Sequence, residues 1–555
     1  MGKQAVVRGA WCTTAVLIAS AAMTTLPTGA ARAASGDEGP FSLGTASGLA
    51  GETVWGPSSA QASRQALVAG SWDPARDPGS MSSLTRDTGA QRAWARGFTG
   101  RDVTVAVIDT GIAPVAGLTG AGKLHNGPDL SYEGQAPGTR YVDGYGHGTH
   151  LAGIMAGEDD GFDPRHPDAG TFAGVAPDAG LLNLKVATGD GGADVTQVIA
   201  ALDWVVQHRA DDGMNVRVVN LAYGTESTQP WQVDPLAKAV ENAWDHGVVV
   251  VAAAGNDGLG ASRLLMPAVD PHVLAVGALD DNGTAWTNDD TVADFSSGGT
   301  SGRRPDVIAP GRSLVSLRVP GSYADLRHPE GRVEGDASGR YFRGTGTSQA
   351  TAVVAGEVAL LLSARPSLSP DQVKSVLRDS AAPLPGGDAA QGAGVVDVNA
   401  AINTATSLVA PKSPAARRLP GDGDALPAST GTGSVEASRG GEHVVDPATG
   451  QALVGELDAQ GEPWRGAQWA AASQDARAWT GGTWNQRTWA GDAWLQHSFA
   501  AAPWSGLSWS GVPWADHAWS DAQWEARSWR TDGWQARSWR EASWLARSWR
   551  DLDAS

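Results

Sequence analysis

Cysteine is nearly absent from this sequence of 555 residues, in which Cys12 is the only one. One cysteine cannot form an intramolecular disulfide, so stability must come from the hydrophobic core and from any bound ions. Basic residues are also in the minority, because 41 Lys and Arg stand against 60 Asp and Glu, for a formal net charge of −19. This acidic balance argues against a general nucleic-acid binder.

Long apolar runs are scarce as well. The run at 15–19 follows two basic residues and is too short to span a membrane comfortably, and no later segment is long and apolar enough. A small-x-small motif ends at residue 33, so residues 1–33 are typical of a signal peptide. We therefore expect a secreted, extracellular protein with no transmembrane segment in its mature form, and an N-terminal leader or short pro-segment over residues 34–84.

Glycine and proline, by contrast, are plentiful, with 72 and 31 copies, and they imply many turns and linkers. The chain is also too long for one ordinary domain. Strand-like and helix-like runs alternate as far as about residue 405, and a stretch rich in Pro, Gly, Ser and Thr follows. We predict a main domain over residues 85–405, a linker over 406–445 and a Trp-rich repeat region over 446–555.

Ser348 follows a glycine-rich turn and directly precedes an apolar run at 353–362. This pattern predicts a serine at the start of a helix, where the N-terminal amides favour negative charge. Such a position suits a nucleophile whose reaction creates an oxyanion. Taken alone, the motif more often marks a serine that merely caps a helix, so other groups are needed to give it meaning.

Three further polar residues lie at the ends of predicted elements. Asp109 ends a β-branched run at 103–108, Asn256 follows an apolar strand at 248–254, and His147 stands between glycines at the start of a helix. Open α/β sheets build their sites at the carboxyl ends of strands. These are the groups that acyl transfer needs: an acid that fixes the imidazole tautomer, a base, a nucleophile and an amide donor for the oxyanion.

These motifs resemble those of the subtilisin-like serine proteases (subtilases). The chain order Asp, His, Ser is the order of subtilisin itself. The resemblance covers roughly residues 85–405 and implies an α/β, three-layer fold with a mainly parallel sheet. It implies a secreted serine endopeptidase that works through an acyl-enzyme intermediate, with Asp109, His147 and Ser348 as the triad and Asn256 in the oxyanion hole. The matching segments are 107–111, 146–153, 252–256 and 346–348.

The resemblance also extends to a substrate-pairing strand at 219–224. The residues that it implies in substrate binding are Ala222, Tyr223, Gly224, Ala253 and Gly255. Tyr223 stands where relatives often have an aliphatic residue, and Gln349 stands where many carry Met after the nucleophile. The residue preferred just before the scissile bond is therefore not determined by the resemblance.

The chemistry needs no cofactor, and structural calcium is an expectation from the family with no ligands assigned. The Asp-rich loops at 158–160 and 280–282 are equally typical of solvated turns. His150 lies on the same helical face as His147, but no acidic residue stands in a zincin-type arrangement with them. We interpret His150 as a packed structural histidine rather than a metal ligand.

Tryptophan repeats with a period of five after residue 460. Of the 18 positions in one register from Trp464 to Trp549, 16 are Trp, and the exceptions are Gln474 and Phe499. Period five fits neither a helix nor a continuous strand, so a strand-plus-turn repeat, and hence a β-rich tail, is one expectation. The tryptophans either form the core of that repeat or stack on a cell-envelope glycan or another surface ligand.

Two classes of function follow. In the first, the chain is an active endopeptidase that acts on proteins or peptides, and its tail serves structure or attachment to a surface such as the cell wall. In the second, it is an envelope-binding or adhesive protein that uses a subtilase-like scaffold with little proteolytic activity. The presence of all four catalytic residue types favours the first.

Overall fold

The computed structural model describes residues 71–134, 139–284, 287–407, 426–441, 443–444 and 452–488. The predicted signal peptide and the tryptophans from Trp489 onward lie outside these residues. The helices are α1 Met81–Asp87, α2 Ala90–Trp94, α3 His147–Ala156, α4 Val195–His208, α5 Pro235–Asp245, α6 Tyr323–Arg327, α7 Thr347–Ala364, α8 Pro370–Ser380, α9 Val398–Ser407, α10 Val435–Arg439 and α11 Gly466–Gln474, with 3-10 turns at Asp211–Gly213, Pro329–Gly331 and Ala389–Gln391. The strands are β1 Thr104–Asp109, β2 Leu124–Asn126, β3 Gly180–Lys185, β4 Val216–Leu221, β5 Val249–Ala253, β6 Leu274–Asp280, β7 Thr291–Val292, β8 Val307–Pro310, β9 Leu314–Leu317, β10 Tyr341–Gly344, β11 Trp479–Thr480, β12 Thr483–Trp484 and β13 Arg487–Thr488.

The main sheet has the strand order β2-β3-β1-β4-β5-β6-β7, and β8 also pairs with β6. Only the pairing of β7 with β6 is antiparallel among the described strands of this sheet. This confirms the predicted α/β class with a mainly parallel sheet. Parallel strands bring their carboxyl ends to one edge, so Asp109 at the end of β1 lies beside Lys185 at the end of β3.

Apolar strand residues and helix-capping residues account for the elements around this edge. Every residue of β1 and β5 is buried, as expected for strands covered on both faces. Helix α4 begins with a capping box formed by Asp194 and Gln197, and α5 begins with Pro235 after the cap Asp234. The substrate-pairing strand expected at 219–224 overlaps β4, which ends earlier, at Leu221.

Helix α7 packs on β4, β5, β6 and β8 and against α3. The expectation that no later segment is long and apolar enough to cross a membrane is wrong for α7: among the described residues it is the one helix that qualifies by length and composition, with a mean hydropathy of 1.3. However, 94% of it is buried inside the domain. Burial on all sides is typical of a core helix in a globular protein, and α7 is apolar for that reason.

One carboxyl group lies inside this apolar helix. Glu357 is fully buried, and neither of its oxygens has a hydrogen-bond partner in the described part of the chain. Burial, and to a lesser degree the charge of Asp397, raises the pKa of Glu357 well above its usual value. A carboxyl in this environment remains protonated over a wider pH range than it does in the unfolded chain.

We expect Glu357→Gln to stabilise the protein at alkaline pH. Because the pKa of Glu357 is higher in the folded protein than in the unfolded chain, its contribution to stability is complete below the unfolded pKa, near 4.5. The contribution falls by up to about 1.4 kcal/mol per pH unit as the pH rises from there to the folded pKa. The variant lacks this loss, so its melting temperature should exceed the parent's by an amount that grows from pH 5 to pH 8. Exposed Glu334→Gln is the control and should follow the parent. If the melting temperature of Glu357→Gln had the same dependence on pH as that of the parent, the assignment would be contradicted.

Residues 426–441, 443–444 and 452–488, which we call the C-terminal segment, pack on α4 and α5. The first part lies within the stretch predicted as a linker, yet it contains α10 and buried polar contacts. The N–H of Ser429 donates to both carboxyl oxygens of Glu241 at 2.9 and 2.8 Å, and the hydroxyl of Ser438 donates to Asp234 at 2.8 Å. The buried carboxylates of α5 and of its cap thus bind small polar residues in a stretch whose composition is typical of a spacer.

Four tryptophans of the repeat belong to this segment and are at most 8% exposed: Trp464, Trp469, Trp479 and Trp484. The indole N–H groups of Trp469 and Trp484 donate to the same oxygen of Asp203, on α4, at 2.7 and 2.8 Å, and Ser473 donates to the other oxygen at 2.5 Å. Burial raises the pKa of Asp203 to about 6, although these three hydrogen bonds oppose the rise. These four tryptophans therefore form a structural core, built on one helix and three short strands rather than on strands alone.

Candidate active site

Asp109 and His147 form a hydrogen-bonded pair at the carboxyl edge of the main sheet. Asp109 is the last residue of β1, His147 is the first residue of α3, and both are buried. The Nδ1 atom of His147 lies 2.8 Å from Oδ1 and 3.0 Å from Oδ2 of Asp109. Because a carboxylate only accepts hydrogen bonds, Nδ1 carries the proton, and the lone pair of the neutral ring is on Nε2. A ring in this tautomer can take a proton at Nε2.

A second buried carboxylate, that of Asp143, joins the end of β1 to the start of α3. Its Oδ1 accepts from the hydroxyl of Thr110 at 2.8 Å and from the N–H of Gly146 at 2.6 Å. Its Oδ2 accepts from the N–H of Thr149 at 2.8 Å. Burial raises the pKa of Asp143, although the hydrogen bonds from Gly146 and Thr149 oppose the rise. Asp143 is a positioning residue for His147 that the sequence analysis did not identify.

Gly148 allows α3 to approach the end of β1 closely. A Cβ atom at this position would lie 2.2 Å from the carbonyl oxygen of Gly111 and 3.1 Å from Oδ1 of Asp109. The N–H of Gly148 also donates to the hydroxyl of Thr110 at 2.9 Å. A larger residue would separate the strand end from the helix, and with it the carboxylate from the imidazole.

Ser348 lies in the first turn of α7 and is 4% exposed. The preceding residue, Thr347, connects it to Asn256, whose side-chain oxygen accepts from the N–H of Thr347 at 2.9 Å and from its hydroxyl at 3.0 Å. Because two donors face one end of the Asn256 amide, that end is the oxygen, and the NH₂ group points the other way. The arrangement leaves an amide donor beside the start of the serine's helix. Thr347 is a second positioning residue that the sequence analysis missed.

The residues predicted to contact substrate lie at the ends of β4 and β5, which are adjacent and parallel. They are Ala222, Tyr223 and Gly224 after β4, Ala253 at the end of β5, and Gly255 just beyond it. Tyr223 is 2% exposed and belongs to the main hydrophobic core. These residues share the sheet edge with Asp109, and their contact with substrate remains a prediction.

His150 is buried in the same helix as His147. Its Nε2 lies 3.1 Å from the carbonyl oxygen of Phe342. Burial, together with the nearby His147, lowers the pKa of His150 to about 3, so the ring is neutral. A neutral ring bonded to backbone agrees with the interpretation of His150 as a structural residue.

The Asp-rich loop at 158–160 has cationic partners within the protein. Asp159 accepts from Arg340 at 3.1 Å, and Glu158 lies 3.1 Å from the ammonium group of Lys123. Calcium needs six to eight oxygen ligands that are not already neutralised. The chemistry of this loop therefore does not fit a calcium site.

The other Asp-rich loop, at 280–282, is more crowded. Asp280 lies 2.6 Å from Nε of Arg312, but burial and the charges of Asp281 and Asp289 raise the pKa of Asp290 to about 7. Burial is the largest cause of the raised pKa, and repulsion from the neighbouring carboxylates adds to it. Carboxylate oxygens are the ligands that calcium prefers.

Within the described residues, one buried group of side chains has the composition of a metal site, namely Glu241, Asp270 and His272. The Nδ1 atom of His272 lies 2.9 Å from Asp270 and 3.2 Å from Glu241. Burial opposes charge on the ring, but hydrogen bonds to Asp270 and Glu241 outweigh it and raise the pKa of His272 to about 9. We interpret the group as an imidazolium ion held between two carboxylates. One nitrogen and two carboxylates do not supply the oxygen ligands of calcium.

The chain is similar to known proteins over its main domain. Residues 100–394 match the model of the subtilase family. Serine protease AprX of Bacillus subtilis (strain 168) is 38% identical over 288 residues, which are 51% of this chain and 62% of AprX. Subtilisin DY of Bacillus licheniformis is 34% identical over 318 residues, which are 56% of this chain and 95% of that protein. Among solved structures, the prenylagaramide maturation protease PagA matches with 26% identity and a TM-score of 0.43, over 57% of this chain and 98% of its own.

Proposed function

Because this chain belongs to the subtilase family of serine endopeptidases, we propose that it hydrolyses peptide bonds with Ser348 as nucleophile, His147 as base and acid, and Asp109 as the orienting carboxylate. The observation that carries the proposal is the pair of hydrogen bonds from Nδ1 of His147 to Asp109 at 2.8 and 3.0 Å. These bonds are the ones that hold a triad imidazole ready to accept a proton. The substrates in this proposal are proteins or peptides.

The acylation step uses His147 at the start of α3 and Ser348 at the start of α7. Nε2 of His147 takes the proton of the Ser348 hydroxyl as its oxygen attacks the carbonyl carbon of the substrate. The negative charge moves to the carbonyl oxygen, where the NH₂ group of Asn256 and the amides at the start of α7 stabilise it. Removal of one such donor typically costs about 10²- to 10³-fold in turnover, a value taken from a subtilisin.

The imidazolium ion then serves as the acid. It gives its proton to the departing amine, and the carbon–nitrogen bond breaks to leave an ester on Ser348. Water attacks this ester by the same route in reverse, with His147 again as the base. Asp109 stabilises the positive ring in both steps, and Asp143 keeps the start of α3 in place.

A fluorophosphonate probe tests this assignment directly, because it reacts only with an activated serine. The mature protein should become labelled at Ser348, and Ser348→Ala should abolish the labelling. Ser375→Ala changes a half-buried serine of α8 and should leave labelling unchanged. A wild-type protein that remains unlabelled would favour the non-catalytic scaffold instead.

The wider setting of the enzyme belongs to the same proposal. We expect secretion and a tail that attaches to a cell-envelope glycan or another surface ligand through tryptophans from Trp489 onward, which lie outside the described residues. The burial of the first four repeat tryptophans on α4 and α5 supports a structural role for that part. Subtilases often bind structural calcium, and the crowded carboxylates around Asp290 have the oxygen chemistry that suits it.

A further inference from the structure

Helix α6 is attached to the loop that directly precedes His147. The N–H of Tyr323 donates to the carbonyl of Gly144 at 2.9 Å, and the N–H of Ala324 donates to that of Tyr145 at 3.0 Å. The rings of Tyr145 and Tyr323 stack with centroids 5.4 Å apart and planes 10° apart. Helix α6 is therefore at the rim of the proposed active site.

A buried ion cluster fixes α6 in this position. Ser322 caps the helix, and Asp325, which is 2% exposed, receives a two-pronged hydrogen bond from Arg318 at 2.5 and 2.9 Å. Arg332 donates to the same carboxylate at 2.8 Å. A short helix held by two guanidinium groups presents its outer side chains in a defined direction.

The outer face of α6 is apolar and cationic. Leu326 is 56% exposed, and the guanidinium group of Arg327 lies 5.7 Å from the centre of the Tyr323 ring. Large apolar side chains are exposed at just three positions in the described part of the chain: Leu259, Leu326 and Val454. Leu259 follows Asn256 by three residues, and Leu326 lies on the helix that contacts the loop before His147. Two of the three exposed apolar side chains are therefore near groups of the proposed site.

We propose that Leu326 and Arg327 bind the substrate residues that follow the scissile bond. This inference rests on the proposed function, in which His147 gives its proton to the departing amine. The amine must therefore leave on the side of His147, and α6 contacts the loop at 144–146 that carries this residue. An apolar side chain at the first or second position after the bond would cover Leu326, and an acidic side chain beside it would pair with Arg327.

Two classes of substrate distinguish binding of the residues after the scissile bond from a general effect on activity. A short peptide p-nitroanilide has no amino acid after the scissile bond, whereas an internally quenched peptide with Leu and Glu after the bond has both groups. The double variant Leu326→Ala/Arg327→Ala should lower kcat/KM for the quenched peptide by roughly tenfold and leave the anilide within about twofold. Leu326→Met should retain the parent value, because it keeps an apolar side chain of similar size.

Arg101→Ala is a matched control, since Arg101 is an exposed cation at the opposite, amino-terminal end of β1. It should not change kcat/KM for either substrate. An unaltered melting temperature of the α6 variants shows that they fold. An equal loss with both substrates, or no loss with either, would overturn the inference. A parent protein that reacts with neither substrate nor the fluorophosphonate probe would instead overturn the proposed function, so the two failures are distinguishable.

Discussion

Asp109→Asn should lower kcat by about 10⁴-fold, or about 5.5 kcal/mol of transition-state stabilisation. In the parent, Oδ1 of Asp109 accepts from the N–H of Thr110 at 2.8 Å. This contact keeps the oxygen of an asparagine at the Oδ1 position, so its NH₂ group takes the place of Oδ2, 3.0 Å from Nδ1 of His147. A proton on Nδ1 would then face an N–H donor. The NH₂ group would then donate to Nδ1 and shift the ring proton to Nε2, where it blocks proton transfer from the Ser348 hydroxyl.

The loss should appear in kcat and leave KM for a peptide substrate nearly unchanged, because Asp109 does not contact the substrate in this mechanism. Steady-state kinetics near neutral pH measure both quantities. Asp163→Asn alters an exposed carboxylate and should leave both at the parent values. A fall of less than tenfold for Asp109→Asn would mean that the observed hydrogen bonds do not control the tautomer.

The four residues that make up the proposed chemistry could be predicted because each one lies near the start or the end of a regular element, in a recognisable motif. Asp109 follows a run of β-branched residues, and Ser348 precedes an apolar helix. Asp143 and Thr347 could not be predicted in the same way. Both act through hydrogen bonds to backbone or to another polar side chain, and such contacts leave no periodic pattern. The one available signal for Asp143 is its place four residues before His147, at the start of a glycine-containing turn.

The docking of the C-terminal segment was harder to predict for a different reason. Asp203 on α4 would be an ordinary solvent-facing helix residue without the tryptophans that cover it, and Trp469 is 266 residues away in the chain. Small polar residues around Arg439 have the composition of a spacer. Composition records what a segment contains, whereas burial here depends on carboxylates supplied by distant helices.

Arg439→Met should lower the free energy of unfolding by about 3–5 kcal/mol. The Arg439 side chain is 1% exposed, and its Nε donates to Asp194 at 2.6 Å. Its other nitrogens donate to Glu436 at 3.1 Å, to the carbonyl of Gly455 at 2.7 Å and to the carbonyl of Leu457. Methionine fills much of the same volume but leaves Asp194 buried without its partner, and that unpaired charge is the main source of the loss.

A double variant separates the unpaired charge from lost packing. Asn at position 194 can still accept from the N–H of Thr196, as Asp194 does at 2.9 Å, so α4 keeps its cap. Arg439→Met/Asp194→Asn should therefore be more stable than Arg439→Met alone in urea denaturation, because no buried charge remains unpaired. Arg477→Met, at a mostly exposed arginine of the same segment, should change stability by less than about 0.5 kcal/mol. If Arg439→Met cost no more than this control, the C-terminal segment would not depend on the buried pair for its attachment.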